Sequence, residues 1–210
     1  MAASVDNYLA IVERAYRGEL KLPAFQRDWK WKQNQVILLF DSLRQGFPIG
    51  SFLFIQSNPT VDLAPRAFRG AQKGADQAKA DELVLDGQQR ITAGLELFHG
   101  ESSRHYFLDL RRLKELAKDR GVEPSEKETV RRFLADLDAE DGYCVAAKAS
   151  NDPLQYLLKN DRLWTGVLLD DDELERAIGQ YAKVFPEHEE FIRYVVGRNF
   201  RPSNSNSIPI

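Results

Sequence analysis

Apolar residues along this chain change their period several times, and each change marks an element. Val5, Leu9, Val12 and Tyr16 recur at i, i+4, i+7 and i+11, the spacing of one helix face. A helix is therefore expected from a Ser4 cap to a stop at Gly18. Residues 20–23 are expected to be extended, because Pro23 disfavours helix for the residue before it. Val36, Leu39, Phe40 and Leu43 form a second stripe, predicting a helix over 32–45 ended by Gly46 and Pro48. The near-continuous apolar run 49–55 suits a strand covered on both faces, and Asn58-Pro59 turns the chain. Residues 60–81 are rich in Ala, Gly, Gln and Lys without a period, with Leu63 and Phe68 the main apolar exceptions. They read as a mobile loop or loose hairpin whose Arg66, Arg69, Lys73 and Lys79 could serve a flap over an anionic ligand.

Leu83-Val84-Leu85 then reads as a buried strand, and Ile91, Leu95 and Phe98 as the apolar face of a helix. Tyr106, Leu108 and Leu110 alternate as a further strand. Beyond residue 110 the pattern turns helical. Expected helices cover 111–120 and 124–138, the latter with a Ser125/Glu128 capping box and a face of Val130, Phe133, Leu134 and Leu137. Tyr143-Cys144-Val145 is a brief strand or packed turn. A helix opens at Asp152-Pro153 and runs to Leu158, and the 160s look irregular. Asp170 to Glu173 starts another helix carrying Leu174, Ile178, Tyr181 and Phe185, and Pro186 starts one through Ile192 and Val195 to Gly197. The acidic residues at 170–173 are read as a cap and dipole partners, not a metal site. The pattern divides the chain into an α+β domain over 1–110, a mainly helical extension over 111–200, and a polar linker at 201–210 that ends in an apolar segment. That last segment reads as the start of a further piece of a longer protein.

Composition narrows the classes without choosing among them. The 210 residues are 43% hydrophobic and 29% charged, enough for a real core. Twenty-nine Lys+Arg against 32 Asp+Glu give a net charge of −3, so the surface as a whole is no nucleic-acid magnet. A single cysteine, Cys144, excludes an internal disulfide and suits a reducing cytoplasm; no apolar run reaches membrane-spanning length. Three scattered histidines and one cysteine assemble no zinc pattern.

The chemistry concentrates in Asp86-Gly87-Gln88-Gln89-Arg90, between the strand and the helix. The first N–H groups of a helix lack internal partners and sit at the positive end of its dipole, so such a turn is a ready anion site. Gly87 keeps a Cβ away from an approaching ligand. Arg90 offers a planar two-pronged donor, and Gln88 and Gln89 add neutral donors and acceptors. Asp86 would repel a bare phosphate, so it would accept from a sugar hydroxyl or hold a divalent cation beside the phosphates. A first-turn arginine contributes little to a core, so Arg90→Ala is expected to spare the fold. Alone, Asp86-Gly87 could be an ordinary turn. Five consecutive polar or glycine residues between two apolar segments favour a ligand loop. Upstream, Phe25-Gln26-Arg27-Asp28-Trp29-Lys30-Trp31 mixes polar recognition groups with three aromatics that, by themselves, read as core or hinge residues.

Residues 22–31 and 84–92, with Gly46-Phe47-Pro48-Ile49-Gly50-Ser51 between them, resemble the N-terminal domain of GmrSD-type restriction endonucleases over roughly residues 4–110. The resemblance implies a ParB/sulfiredoxin-like fold, a small mixed sheet with helices that binds a nucleoside triphosphate, GTP or ATP, with Mg²⁺. Carried over, Gly87 and Arg90 bind the phosphates, with Gln26 and Arg27 facing them from the extended segment. Asp86, Gln88, Gln89 and Arg90 are the catalytic candidates, and Asp86 the metal ligand. The setting implied is bacterial defence against phage DNA, often discriminating modified DNA, with DNA and an HNH-type nuclease domain or subunit as partners. No His-Asn-His cluster is present among three histidines, so cleavage of DNA is not expected of this chain alone. Arg90 and Arg27 would neutralise transition-state charge and a glutamine would orient water; with no dedicated general base, turnover would be slow. The rival reading is a DNA-binding module without NTPase activity, its arginines on backbone phosphates and its aromatics against bases.

Overall fold

The computed structural model describes residues 5–58, 60, 63–101, 104–149, 152–197, 200 and 207–209. The chain is α+β and divides into two compact units, 1–103 with 203–210, and 104–202.

In the first unit, β1 (Val5–Asn7) precedes α1 (Tyr8–Arg17). The helix thus starts three residues later than its apolar period suggested. Asn7 caps it, accepting from the Leu9 N–H at 2.9 Å, while the expected cap Ser4 lies outside the described residues. Gly18 ends it in the left-handed region. After β2 (Leu20–Lys21) and α2 (Gln33–Gln45) come β3 (Leu53–Gln56) and β4 (Glu82–Asp86), then α3 (Gln88–Phe98). The sheet is mixed, with β4 in the middle, parallel to β2 and antiparallel to β3. Residues 207–209 pair antiparallel with β1, Val5 opposite Pro209. The expected linker over 201–206, like Ile210 and Pro59 of the expected turn, lies outside the described residues.

One expectation for this unit fails. The apolar run 49–55 is not a strand covered on both faces: only Leu53–Gln56 pairs, along one side of β4, and Leu53 and Ile55 are exposed. Only Phe52 enters the core. The described residues of 60–81 form an irregular loop, as expected, and it is tied down at several points. Leu22 and Arg66 exchange backbone hydrogen bonds at 2.9 Å, Asp81 N–H donates to Glu19 O at 2.9 Å, and Phe68, Ala75 and Ala80 are buried. Arg69, assigned to an anionic ligand, lies 3.5 Å from the buried carboxylate of Glu96. Small side chains let this segment lie close against its neighbours without a regular period, which is why its packing left no periodic signal.

α3 is the centre of the unit. Every residue from Ile91 to Phe98 is buried, not just the Ile91, Leu95 and Phe98 stripe. A helix covered on all sides needs small residues where neighbours come close. At Gly94 an added Cβ would sit 2.5 Å from both Tyr8 Oη and Val12 Cγ2, so α1 can cross there only over a glycine.

The second unit is mainly helical, as expected, but it begins at Arg104 and carries a small sheet of its own. β5 (Arg104–Asp109), expected to close the first domain, is instead the middle strand of a separate antiparallel sheet with β6 (Cys144–Lys148) and β7 (Arg162–Trp164). β7 and the 3₁₀ turn Thr165–Leu169 replace the irregular 160s. Helices α4 (Leu110–Asp119), α5 (Lys127–Ala135), α6 (Pro153–Asn160) and α7 (Asp171–Val184) complete it with a π-helical turn at Ile192–Gly197. The Ser125/Glu128 capping box does not form; Glu126 precedes α5 without a side-chain cap. Asp170 caps α7, as the acidic run suggested, accepting from the Glu173 N–H at 2.9 Å.

Candidate functional site

β4 ends and α3 begins across a single residue, Gly87, at φ +102°. An L-residue is strained there, and an added Cβ would lie 2.2 Å from Phe52 Cδ1. The expected reason for this glycine was room for a ligand. The observed reason is the left-handed backbone and the Phe52 ring against its Cβ side. Gly87 offers no side-chain cap to α3, so the first N–H groups of that helix are left to other partners.

The turn opens on a cleft of about 340 Å³ lined by Gln26, Arg27, Trp31 and residues 85–90. Every nominated residue therefore lies on one wall or another, and two distant segments meet. Their junction is made by amide side chains. Gln26 Nε2 donates to Leu85 O at 2.8 Å, and Gln88 Nε2 to Arg27 O at 2.6 Å. Gln89 Oε1 accepts from the Lys30 and Trp31 N–H groups at 2.9 and 3.2 Å, while its Nε2 donates to Asp28 O at 3.3 Å. Gln88 and Gln89 are buried. An extended segment has no partners for its own peptide groups, and a carboxamide supplies one donor and one acceptor at once. The two glutamines thus hold the 26–31 wall against the helix start. Gln89 has both ends engaged, whereas the Gln88 carbonyl oxygen has no hydrogen-bond partner among the described residues. Arg66 holds the same wall from its other side, donating to Gln26 O at 3.0 Å.

Arg90 is also less free than a first-turn arginine was expected to be. Its side chain is 17% exposed. Nη1 donates to Ile49 O at 2.6 Å, Nη2 donates to Ser51 O at 2.7 Å, and the guanidinium carbon lies 4.5 Å from the Phe52 ring centroid. Asp86 Oδ2 stands 3.3 Å from Nη2. The fork thus fastens the 49–51 segment to α3, and its charge remains fixed beneath the cleft. Its own carbonyl accepts from Tyr8 Oη at 2.7 Å. Burial raises the Tyr8 phenol above its ordinary pKa, so it stays a neutral donor.

The exposed charged groups of the cleft are Arg27 and Asp86, the latter paired on one side with Arg90, and Trp31 is half-buried beside them. Asp86 is 71% exposed and is the one carboxylate in the cleft lining. Among the described residues no group of three or more His, Cys, Asp or Glu could enclose a metal ion. Asp86 fits a hard cation only as a single ligand, the rest of the shell coming from phosphates and water, which is how Mg²⁺ is commonly held. Trp31 was read as a core or hinge residue, as were Phe25 and Trp29. None of the three is buried, and Phe25 is 67% exposed. The hint available in sequence was their interleaving with Gln26, Arg27 and Lys30.

Among the described residues no helix is long and apolar enough to cross a membrane. An uncharacterized protein of Methanocaldococcus jannaschii is 31% identical over 158 residues, covering 68% of this chain and 27% of that protein. The chain thus spans about a quarter of the length of that relative. Residues 9–204, nearly the whole chain, match the family described as the N-terminal domain of GmrSD restriction endonuclease, and the chain belongs to that family.

Proposed function

We propose that the cleft binds and hydrolyses a nucleoside triphosphate, GTP or ATP, with Mg²⁺. In this reading the domain is the sensor or regulatory part of a cytoplasmic, modification-dependent nuclease acting against phage DNA. DNA and a nuclease domain or subunit are its partners, and the small mixed sheet of the first unit is assigned to the ParB/sulfiredoxin-like class. One observation carries the reading: the uncapped start of α3 opens on a cleft that also holds Arg27, Arg90 and Asp86. Two cations and a helix N-terminus favour a multiply charged anion, and a lone carboxylate beside them suits a phosphate-bridging cation.

The residues divide the work. Arg27, whose side chain has no ion pair or hydrogen bond among the described residues, reaches the phosphates directly. Arg90 supplies a fixed positive charge from below, and the α3 N–H groups hold the terminal phosphate in line. The free Gln88 carbonyl oxygen accepts from the attacking water, whose oxygen bonds to the terminal phosphorus as the bond to the bridging oxygen breaks. Mg²⁺, held by Asp86, would neutralise charge gathering on that bridging oxygen and the nucleoside diphosphate it leaves with. No side chain is placed to take the water's proton, so it passes to solvent or phosphate and turnover is slow.

Thermal unfolding with a nucleotide series, with and without Mg²⁺, tests the reading. Stabilisation should grow with nucleotide concentration and vanish in Arg27→Glu. Stabilisation by DNA but by no nucleotide would favour the rival, a DNA-binding module. Plasmid DNA should stay uncut by the purified chain in Mg²⁺ or Mn²⁺.

A further inference from the structure

We infer that Trp31 is the platform on which the ligand's base stacks, so that this cleft selects a nucleotide over an inorganic polyphosphate. The inference rests on the nucleotide reading above and adds to it the part of the site that recognises something other than charge. Seven residues, 25–31, hold three large aromatics, and none of them is buried. Phe25 is 67% exposed, and Trp29 and Trp31 lean on each other at 6.2 Å between centroids and 47° between planes. Large apolar side chains left together at a surface mark a place where something else covers them. Trp31 is the one of the three that lines the cleft.

Its backbone is also held in place. The Trp31 N–H and the Lys30 N–H both donate to Gln89 Oε1, and Gln89 belongs to the first turn of the helix whose N-terminus opens on the cleft. One side chain therefore ties the aromatic wall to the anion-binding end. At about 340 Å³ the cleft is open and has polar walls on the motif side. A ligand that satisfies both halves has a strongly anionic end and a flat π-face, which is the chemistry of a nucleotide. Stacking on an indole uses the face common to all bases.

Isothermal titration of the full chain with Mg-nucleotide and with Mg-tripolyphosphate separates the halves. The parent should bind nucleotides roughly 5- to 150-fold more tightly than tripolyphosphate, the range expected from losing one base–aromatic stack. Trp31→Ala should bring nucleotides down to the tripolyphosphate level without moving tripolyphosphate itself. Indole fluorescence should be quenched by nucleotide and not by tripolyphosphate, and that quenching should disappear in Trp31→Phe, whose ring still stacks. The Phe variant keeps the test decisive even where the Ala variant folds poorly. Equal affinity for both ligands in the parent, or nucleotide quenching that survives in Trp31→Phe, would overturn the Trp31 assignment and leave the phosphate site standing. Binding of neither ligand would overturn both readings.

Discussion

Two helices of this molecule begin in opposite ways. α7 starts with Asp170, whose carboxylate takes the Glu173 N–H, and continues with Asp171, Asp172 and Glu173, so its positive end is answered within its own chain. α3 starts with Gly87, which has nothing to offer, and its first turn carries no acid. The first arrangement is a finished helix end. The second leaves donors and a partial positive charge facing a cleft. The side chains around the α3 start do not cap it; Gln88, Gln89 and Arg90 instead bind the backbone of two other segments, 26–31 and 49–51. A helix end kept open beside clamped walls is a different thing from a helix end merely left without a cap.

That contrast breaks most sharply at Arg90. Arg90→Ala would strand the Ile49 and Ser51 carbonyls and remove the cation over Phe52. Charge-assisted bonds of this kind are worth about 1.5–3 kcal/mol each, and because the bond to Ser51 is exposed to water a loss of about 2–4 kcal/mol in unfolding free energy is expected. Urea denaturation measures it. An unchanged midpoint would mean that the 49–51 segment needs no fastening and that Arg90 is a free ligand group after all. Next in size is Gln89→Ala, which removes one donor and one acceptor from the 28–31 wall. A loss of about 1–3 kcal/mol is expected, together with faster hydrogen exchange at the Lys30 and Trp31 amides. Retained protection at those amides would contradict the clamp.

How much of this was legible in sequence follows the same division. The strand, turn and helix at 82–98 were readable because branched residues, a glycine and a 3.6-residue period follow one another without interruption. The acidic cap of α7 was readable because Asp170 and Glu173 stand at cap spacing. The convergence of 26–31 with 86–90 came from resemblance, since no period links residues 59 positions apart. What the side chains do there was not legible at all. Gln88, Gln89 and Arg90 are the residue types of a ligand site and equally the types that satisfy buried peptide groups, and composition does not separate the two. The anchoring of the described part of 60–81 escaped for another reason: its anchors are backbone bonds and small buried residues such as Ala75 and Ala80. The edge strand was misjudged because Leu53 and Ile55 are apolar yet exposed.

The closed helix end makes a smaller prediction. Asp170→Ala removes a cap and should cost about 1 kcal/mol, within the usual range for such a change. It should leave nucleotide affinity untouched, as calorimetric titration would show. A change in affinity would mean that the two helix starts are not independent.

The smallest expected effect lies at the other end of α3, where His99 is the C-terminal cap residue. A cation is welcome at a helix C-terminus, and Glu13 lies 3.6 Å from His99 Nε2. Burial of the imidazole, on which the Tyr16 ring stacks at 3.9 Å, nevertheless outweighs the pull of Glu13 and Glu101, the charge of Arg17 acts in the same direction as burial, and the His99 pKa is lowered. The unfolded chain takes up its proton near the ordinary value of about 6.5, while the folded chain resists. As pH falls through about 6.5 the unfolded state binds more protons, so stability declines, and the decline levels off only below the folded pKa. Above about pH 7.5 the group contributes no pH dependence. His99→Phe keeps an aromatic ring against Tyr16 and removes the proton, so its denaturation midpoint should fall less than the parent's between about pH 7.5 and 5.5. Equal slopes in the two proteins would show that His99 charges as readily in the folded chain as in the unfolded one, and that both ends of α3 stand open to ions.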